Sequence, residues 1–438
     1  MHNAWFAPPQ PIPGYFEFEG TNHNMRSFEP VTFKEIEETL KSTSNTSAPG
    51  STGIGYKILK WVLTAAPDEM TAIVKASIKL GTHHPRWKSS LVVVIPKTKK
   101  PSYSDPKAWR PIQLLDTLGK LIEKIMVKCI IYEIGRHNLT PLEQFGGRSN
   151  SSCYDAIASL THDIQTAWKK NLVASFLVVD VKGFFDHIHH DRLIYVLWEK
   201  GFCTQTCKWV QSFISDRQAA IRLDDYVSTL RPINIGLAQG SPISLVLACL
   251  YTSEPLERMI EEPSYSTSHT KSKQYKWPIG PRAYVDDHGL LSIGDNWETN
   301  NEHLAKTAKR LTDLLSEIGL KIDPRKSEIM HFSIQRNEKA PPPLVLNVYG
   351  TRTELIPPKE GYLRWLGAFL DKKLSWKLHA KVMNKRGTTI LSGMKCLGNT
   401  IQGLTQQNRR TLYLSCILPV LTYAAPYGSD QTNNRNTC

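Results

Sequence analysis

The chain has no apolar run near the roughly 18 residues that a membrane span needs, and no charged-then-apolar leader at its N-terminus, so the expectation is a soluble, intracellular protein. Its eight cysteines include no C-x-x-C pair, and Cys203 with Cys207 has no following histidine pair. Neither a zinc finger nor a disulfide framework is expected, and the thiols read as free. No internal repeat is present. Acid is the scarcer charge, with 40 Asp and Glu against 54 Lys and Arg; the resulting net charge of +14 and pI near 9.3 favour a polyanionic partner, although many soluble proteins are equally basic. At 438 residues the chain is longer than one core usually serves, so several subdomains are expected.

In a chain short of acids, adjacent carboxylates between apolar runs need explaining. Tyr284, Val285, Asp286 and Asp287 stand between Pro281-Arg282 and Leu290, Leu291 and Ile293, a pattern that predicts a hairpin with the acids at its tip. Like charges so placed repel unless a cation sits between them. Upstream, Phe176 to Val179 read as a buried strand ending in Asp180. A strand end with one carboxylate can stand beside a hairpin with two. Hard divalent ions take a few carboxylate oxygens together with phosphates and water, so Asp180, Asp286 and Asp287 suit a two-metal phosphoryl-transfer site.

These blocks fall in an order that resembles the reverse transcriptases of non-LTR (LINE-type) retrotransposons, over about residues 30 to 427. The order runs Ala48-Pro49-Gly50 with Gly53-Ile54, Trp109-Arg110-Pro111-Ile112, Gln144-Phe145-Gly146-Gly147-Arg148, the Asp180 block, Gln239-Gly240-Ser241-Pro242, the Tyr284 to Asp287 turn, Gly319-Leu320 with Lys326, and Trp365-Leu366-Gly367. Eight blocks in order are specific where any one is weak. The chain departs from the family pattern at Ala238, at Ser51-Thr52 and at Phe184, none of which removes a metal ligand.

The resemblance implies an α+β, right-hand polymerase with an antiparallel palm sheet. Its parts would be an N-terminal arm (1–30), fingers (31–171), a palm (172–339) with a surface insertion at 261–280, a connection with the primer-grip turn (340–374), and a helical thumb and tail (375–438). It implies an RNA-directed DNA polymerase that takes template RNA, primer or target DNA and deoxynucleoside triphosphates. Two Mg²⁺ ions, replaceable by Mn²⁺, would be held by Asp180, Val181, Asp286 and Asp287. Lys97, Arg110, Phe185, Gln239, Gly240 and Lys326 would face the nucleotide, and Trp365, Leu366 and Gly367 the primer end. Action on chromosomal DNA places such a protein in the nucleus, with a cytoplasmic ribonucleoprotein stage. The family's endonuclease and RNase H have no room here, so polymerisation is better supported than integration. A catalytically inactive nucleic-acid-binding remnant and an intron-maturase-type enzyme are the alternatives.

Chemistry supports several of these roles beside plainer readings. Arginine grips phosphate bidentately and lysine as a point charge, which suits Arg110 and Lys97; a solvated basic loop is the other reading of Lys97. Strand-like alternation would put Phe184 and Phe185 on opposite faces, one in the core and Phe185 under the sugar, where its ring leaves no space for a 2′-hydroxyl. Lys326 is a general acid for departing pyrophosphate or a surface lysine. The His187, His189, His190 cluster opens the next helix rather than binding zinc. Helical segments are predicted at 56–80, 118–134, 152–168, 190–214, 241–260, 303–318 and 375–426, a short helix after the Thr32/Glu35 capping box, a strand at 91–95, and two short strands past Pro341 to Pro343. Lys377, Lys381 and Lys385 recur on one helix face, either tracking a duplex backbone or simply solvated.

Overall fold

The computed structural model describes residues 5–6, 25–98, 100–261, 281–335, 341–396 and 403–424; most of the 261–280 stretch lies outside the described residues. The strands, in chain order, are β1 (Ser89–Pro96), β2 (Trp109–Leu114), β3 (Val173–Asp180), β4 (Arg217–Leu223), β5 (Tyr226–Val227), β6 (Arg231–Ile233), β7 (Pro281–Tyr284), β8 (Asp287–Gly294), β9 (Glu328–Phe332), β10 (Leu344–Val348), β11 (Thr351–Leu355), β12 (Tyr362–Trp365) and β13 (Ala368–Asp371). The chain forms two compact units. The first takes Met1–Ser151, Val181–Glu261 and Leu311–Ile322; the second takes Ser152–Asp180, Glu262–Arg310 and Asp323–Cys438.

The first unit holds a sheet of order β2-β1-β4-β5, with β6 also on β4. β-Branched residues run through β1, and Val92 is fully buried in a cluster with Ala219, Ile221, Ile233 and Trp5. Within the segment expected as an N-terminal arm, Trp5 packs its indole in that core and donates to the Pro106 carbonyl at 3.2 Å. An isolated aromatic has no period to announce it. The unit's helices pack mainly on one another. Thr32 and Glu35 form the expected capping box ahead of helix Phe33–Lys41. The segment predicted as one helix over 56–80 is two, Tyr56–Ala65 and Pro67–Lys79, because Pro67 cannot donate to the preceding turn and starts a new helix at N1. Likewise 190–214 divides into His190–Glu199 and Thr204–Ile214 around Gly201, whose φ of 76° is where an L side chain is strained. The segment at 241–260 divides into Ser244–Tyr251 and Ser253–Glu261.

The second unit is built on an antiparallel sheet of order β7-β8-β3-β9. β3 is central and almost wholly buried, which is why it reads as a continuous apolar run rather than an alternating one. Gly289 lets the Phe176 ring lie flat on β8, since a Cβ there would stand 2.3 Å from Phe176 Cζ. Phe176 in turn meets Trp365 edge-on at 5.0 Å. Behind the sheet, buried Asn300 donates to the Val173 carbonyl and to Ser175 Oγ and accepts from Ser292 Oγ. Ser175 also bonds His331 Nδ1 at 2.7 Å. Such a buried polar set ties the strands to one register, because a slip would leave each group unpaired. Past Pro343 there are four short strands where two were predicted, in the pairs β10-β11 and β12-β13. Helices Cys153–Lys169, Lys377–Cys396, Gln406–Leu412 and Leu418–Leu421 complete the unit, with a π turn at Tyr413–Ile417.

Candidate active site

The second unit brings the predicted acids together by strand register. Asp180, the last residue of β3, stands directly opposite Asp287, the first of β8, and directly opposed residues of an antiparallel pair project from the same face. Tyr284 pairs with Asp287, so Val285 and Asp286 are the two central residues of the turn. Val285 has φ of 62°. A two-residue hairpin requires positive φ at its first central position, usually filled by glycine, and a β-branched residue there costs about 1–2 kcal/mol. Burial of its side chain, 7% exposed, offsets that strain, and Asp286 is left projecting into solvent. Two anchors hold the hairpin from behind. Arg282 on β7 is buried and ion-pairs with Asp163 of helix Cys153–Lys169, and buried His288 bonds the Asp286 carbonyl through Nδ1 at 3.0 Å.

The electrostatics are those of crowded carboxylates. Burial, then Asp286 and Asp180, push the Asp287 carboxyl up to about 6. Lys326 places Nζ 3.0 Å from Asp180 Oδ2 and 3.4 Å from Asp323 Oδ2. Burial works against its charge, yet the bond and charge of Asp180, with Asp323, hold its ammonium above the ordinary lysine value. Lys326 is 60% exposed, so the pair itself stabilises by only about 0–1 kcal/mol. The Asp323 N–H donates to the Asp180 carbonyl at 2.8 Å, fixing the strand end that carries Asp180. Among the described residues no three His, Cys, Asp or Glu side chains enclose a metal-sized space. The donor set is instead oxygen-only and open, the kind Mg²⁺ shares with phosphates and water, and a cation there would relieve the repulsion that raises Asp287. The residues therefore fit such an ion.

The first unit carries the other predicted positions. Lys97 follows β1; its N–H donates to the Ala108 carbonyl at 2.8 Å and its Nζ to the Lys107 carbonyl at 3.0 Å. Arg110 lies on β2, exposed, opposite Ile95. Gln239 and Gly240 dock on the β2 backbone: Gln113 N–H donates to the Gln239 carbonyl at 2.7 Å, and a Cβ on Gly240, whose φ is 120°, would stand 2.6 Å from the Gln113 carbonyl oxygen. Only glycine fits there. The Gln239 amide donates to Asp186 Oδ1 at 3.1 Å. Burial raises the Asp186 carboxyl against the Gln239 bond and the charges of His187 and Lys97. Val181 bridges Ile322. Phe184 is buried, 3% exposed, while Phe185 is half-buried and its carbonyl accepts from Leu237 N–H at 2.8 Å. The two rings meet edge-on at 5.4 Å, so they do not lie on opposite faces of a strand; a 3₁₀ turn at Phe185–His187 gives them their different burial. His187 and His190 rings bond the backbone carbonyls of Gly183 and Gly236.

Trp365 is buried, while Leu366 and Gly367 close the β12–β13 hairpin with φ of 45° and 82°. Lys377, Lys381 and Lys385 are all exposed on helix Lys377–Cys396, opposite its buried His379 and Met383. Sequence reasoning passed over three residues. Asp186 lies inside the Asp180 block and Asp323 in the polar stretch before Lys326, so both had a positional signal. Glu123 had none: it is buried mid-helix, receives the Ser241 hydroxyl, and is pushed up by burial against that bond and the charges of Arg217 and Lys120.

Comparison with known proteins identifies the family. The family model described as reverse transcriptase (RNA-dependent DNA polymerase) matches residues 95–389, more than half of the chain, so the α+β fold is that of a polymerase. The chain belongs to the reverse transcriptase family, in its non-LTR, LINE-type branch. It is 24% identical over 90% of its length to a probable RNA-directed DNA polymerase from transposon BS of Drosophila melanogaster, covering 42% of that protein. It is similarly 24% identical to the probable polymerase from transposon X-element and 22% identical to that from mobile element jockey of the same fly, over 90% of this chain and 41% of each. The chain thus spans about two fifths of the length of these curated relatives.

Proposed function

We propose that this chain is an RNA-directed DNA polymerase that extends a DNA primer on an RNA template, consuming deoxynucleoside triphosphates. The observation that carries this reading is the register that sets Asp180 opposite Asp287 with Asp286 in the adjoining turn, within a chain of this family. Asp180 and Asp286, with Asp287 and the Val181 carbonyl, would hold divalent cations, Mg²⁺ first. Ions bound there would supply acidification of the attacking 3′-hydroxyl and neutralisation of phosphate charge. The protein's own groups do the rest. Lys326, already charged and fixed by Asp180 and Asp323, donates a proton toward departing pyrophosphate. Arg110 and Lys97 grip the triphosphate. Gln239 and Gly240 offer a fixed amide and bare backbone, and Phe185 blocks a 2′-hydroxyl.

In this reading residues 31–171 act as fingers, 172–339 as palm, 340–374 as the connection whose Leu366–Gly367 turn grips the primer, and 375–438 as thumb, where Lys377, Lys381 and Lys385 follow the duplex backbone. Nuclear chromosomal DNA is the place of action, after a cytoplasmic ribonucleoprotein stage. Among the described residues no helix is long and apolar enough to cross a membrane. The experiment is primer extension by the purified protein on a polyribonucleotide template with Mg²⁺. Templated DNA synthesis that stops on chelation is expected; binding without synthesis would mean an inactive nucleic-acid-binding remnant. Matched pairs of ribo- and deoxynucleotide in the same assay test Phe185: Phe185→Val should admit ribonucleotides at least about tenfold better, since the block is steric. An unchanged ratio would put Phe185 outside the sugar pocket.

A further inference from the structure

We propose that Tyr423 is a positioning residue for the Leu366–Gly367 turn, latching it in the geometry that presents the primer end; this rests on the primer-grip role proposed above. The turn is a two-residue hairpin, and both of its central residues have positive φ, 45° and 82°. A leucine in that region does not stay there by its own preference. Tyr423, which follows helix Leu418–Leu421, supplies the restraint. Its phenol donates to the Leu366 carbonyl at 2.5 Å, so that carbonyl of the turn is held from outside the hairpin. Its ring lies against Gly367, where a Cβ would stand 2.9 Å from Tyr423 Oη and 3.1 Å from Cε1. Glycine at 367 therefore serves two needs at once, the positive φ and the close approach of the phenol.

The latch is itself held by polar contacts. With the phenol proton committed to Leu366, the Cys153 thiol donates to Tyr423 Oη at 3.4 Å. The Tyr154 ring lies 5.2 Å from the Tyr423 ring. The Tyr423 carbonyl accepts from His379 Nε2 at 2.8 Å, while His379 Nδ1 accepts from Phe369 N–H on β13 at 3.4 Å. One histidine thus spans the hairpin and the residue that latches it, and its two partners set the neutral tautomer. On another side Tyr423 borders an apolar cavity of about 480 Å³ with Ile390, Pro419 and Val420.

The test is Tyr423→Phe in the full chain, which keeps the ring and removes only the donor. Single-turnover extension of a matched primer should fall about tenfold at saturating nucleotide, with the nucleotide KM and duplex Kd each changed by less than about twofold. Preference for a matched over a mismatched 3′ end should narrow, a readout that a merely structural tyrosine would not move. A folded Tyr423→Phe with wild-type rate and wild-type discrimination overturns the proposal. If that variant loses its melting transition, Cys153→Ala takes its place, with a smaller fall in the same rate constant expected and an unaltered one overturning. Should the wild-type protein extend no primer, the primer-grip reading fails, and amide exchange still tests the latch: the Gly367 and Ala368 amides should exchange faster in Tyr423→Phe, and equal protection would overturn it.

Discussion

The β7–β8 and β12–β13 hairpins both close through two residues, yet they reach positive φ by opposite routes. In the first, Val285 takes φ of 62° although it is β-branched, and its buried side chain offsets the strain. In the second, Leu366 and Gly367 share the left-handed region, and an outside tyrosine donates one hydrogen bond to the turn. The strained turn carries the acids and leaves Asp286 in solvent; the latched turn offers mainly its backbone. Packing of the Val285 side chain restrains the first turn from within the unit's core, whereas the second is restrained by a hydrogen bond from a residue outside the hairpin. Under the function proposed above, the first hairpin would carry the carboxylates and the second the grip on the primer end.

The largest effect that would sharpen this division is on the acid turn. Asp286→Ala should lower primer extension by at least about a hundredfold, or about 2.7 kcal/mol in the barrier, without unfolding the protein; near-wild-type extension would remove the acid turn from the chemistry. Next comes Gly367→Ala, which meets both a φ of 82° and the Tyr423 phenol. A loss of about 1–2 kcal/mol in denaturant unfolding is expected, and an unaltered midpoint would mean the second turn is not constrained as described. Val285→Gly relieves about 1–2 kcal/mol of backbone strain and gives up about 1.5–3 kcal/mol of side-chain burial. The net loss should be only about 1 kcal/mol; a loss several times larger would show that the first turn stores no strain.

The smallest effect is a pH dependence confined to the acid hairpin. Asp287 is raised to about 6 in the folded chain, above an unfolded value of about 3.9, so the fold binds this proton more tightly. Its contribution to stability is complete below about pH 4 and is lost as pH rises through about 6. Asp287→Asn should therefore raise the metal-free melting temperature at pH 7.5 and leave it unaltered at pH 4. A shift of equal size at both values would assign the effect to packing instead of charge.

Much of the acid site was legible because its signals are local. A buried strand reads as an apolar run, two adjacent acids stand out in a basic chain, and register follows once both strands are placed. Legibility stops where an element depends on distant partners. Trp5 sits among residues without period, and nothing near it announces a place beside Val92. The break at Ala66 had a local cause in Pro67, but the apolar period continues across it and hides the boundary. Phe184 is the core residue that alternation allowed, but the opposite faces expected of the pair are absent, because a 3₁₀ turn brings the two rings edge-on. Tyr423 reads as one more residue of a helical tail, and its partner Leu366 lies 57 positions away. Asp186 matters through Gln239, 53 positions on.

The central place of β3 also sets an order of events during synthesis. Its neighbours β8 and β9 are encoded far downstream, from Asp287 and Glu328, so an almost wholly apolar strand emerges from the ribosome with neither edge paired. The interval from Asp180 to Asp287 is about a hundred residues, or about 5–20 s of translation. For that time Val173 to Asp180 is an open strand edge in a nascent chain, a template for intermolecular pairing. Yield should therefore depend on cellular holdases and on translation speed before it depends on the stability of the finished fold.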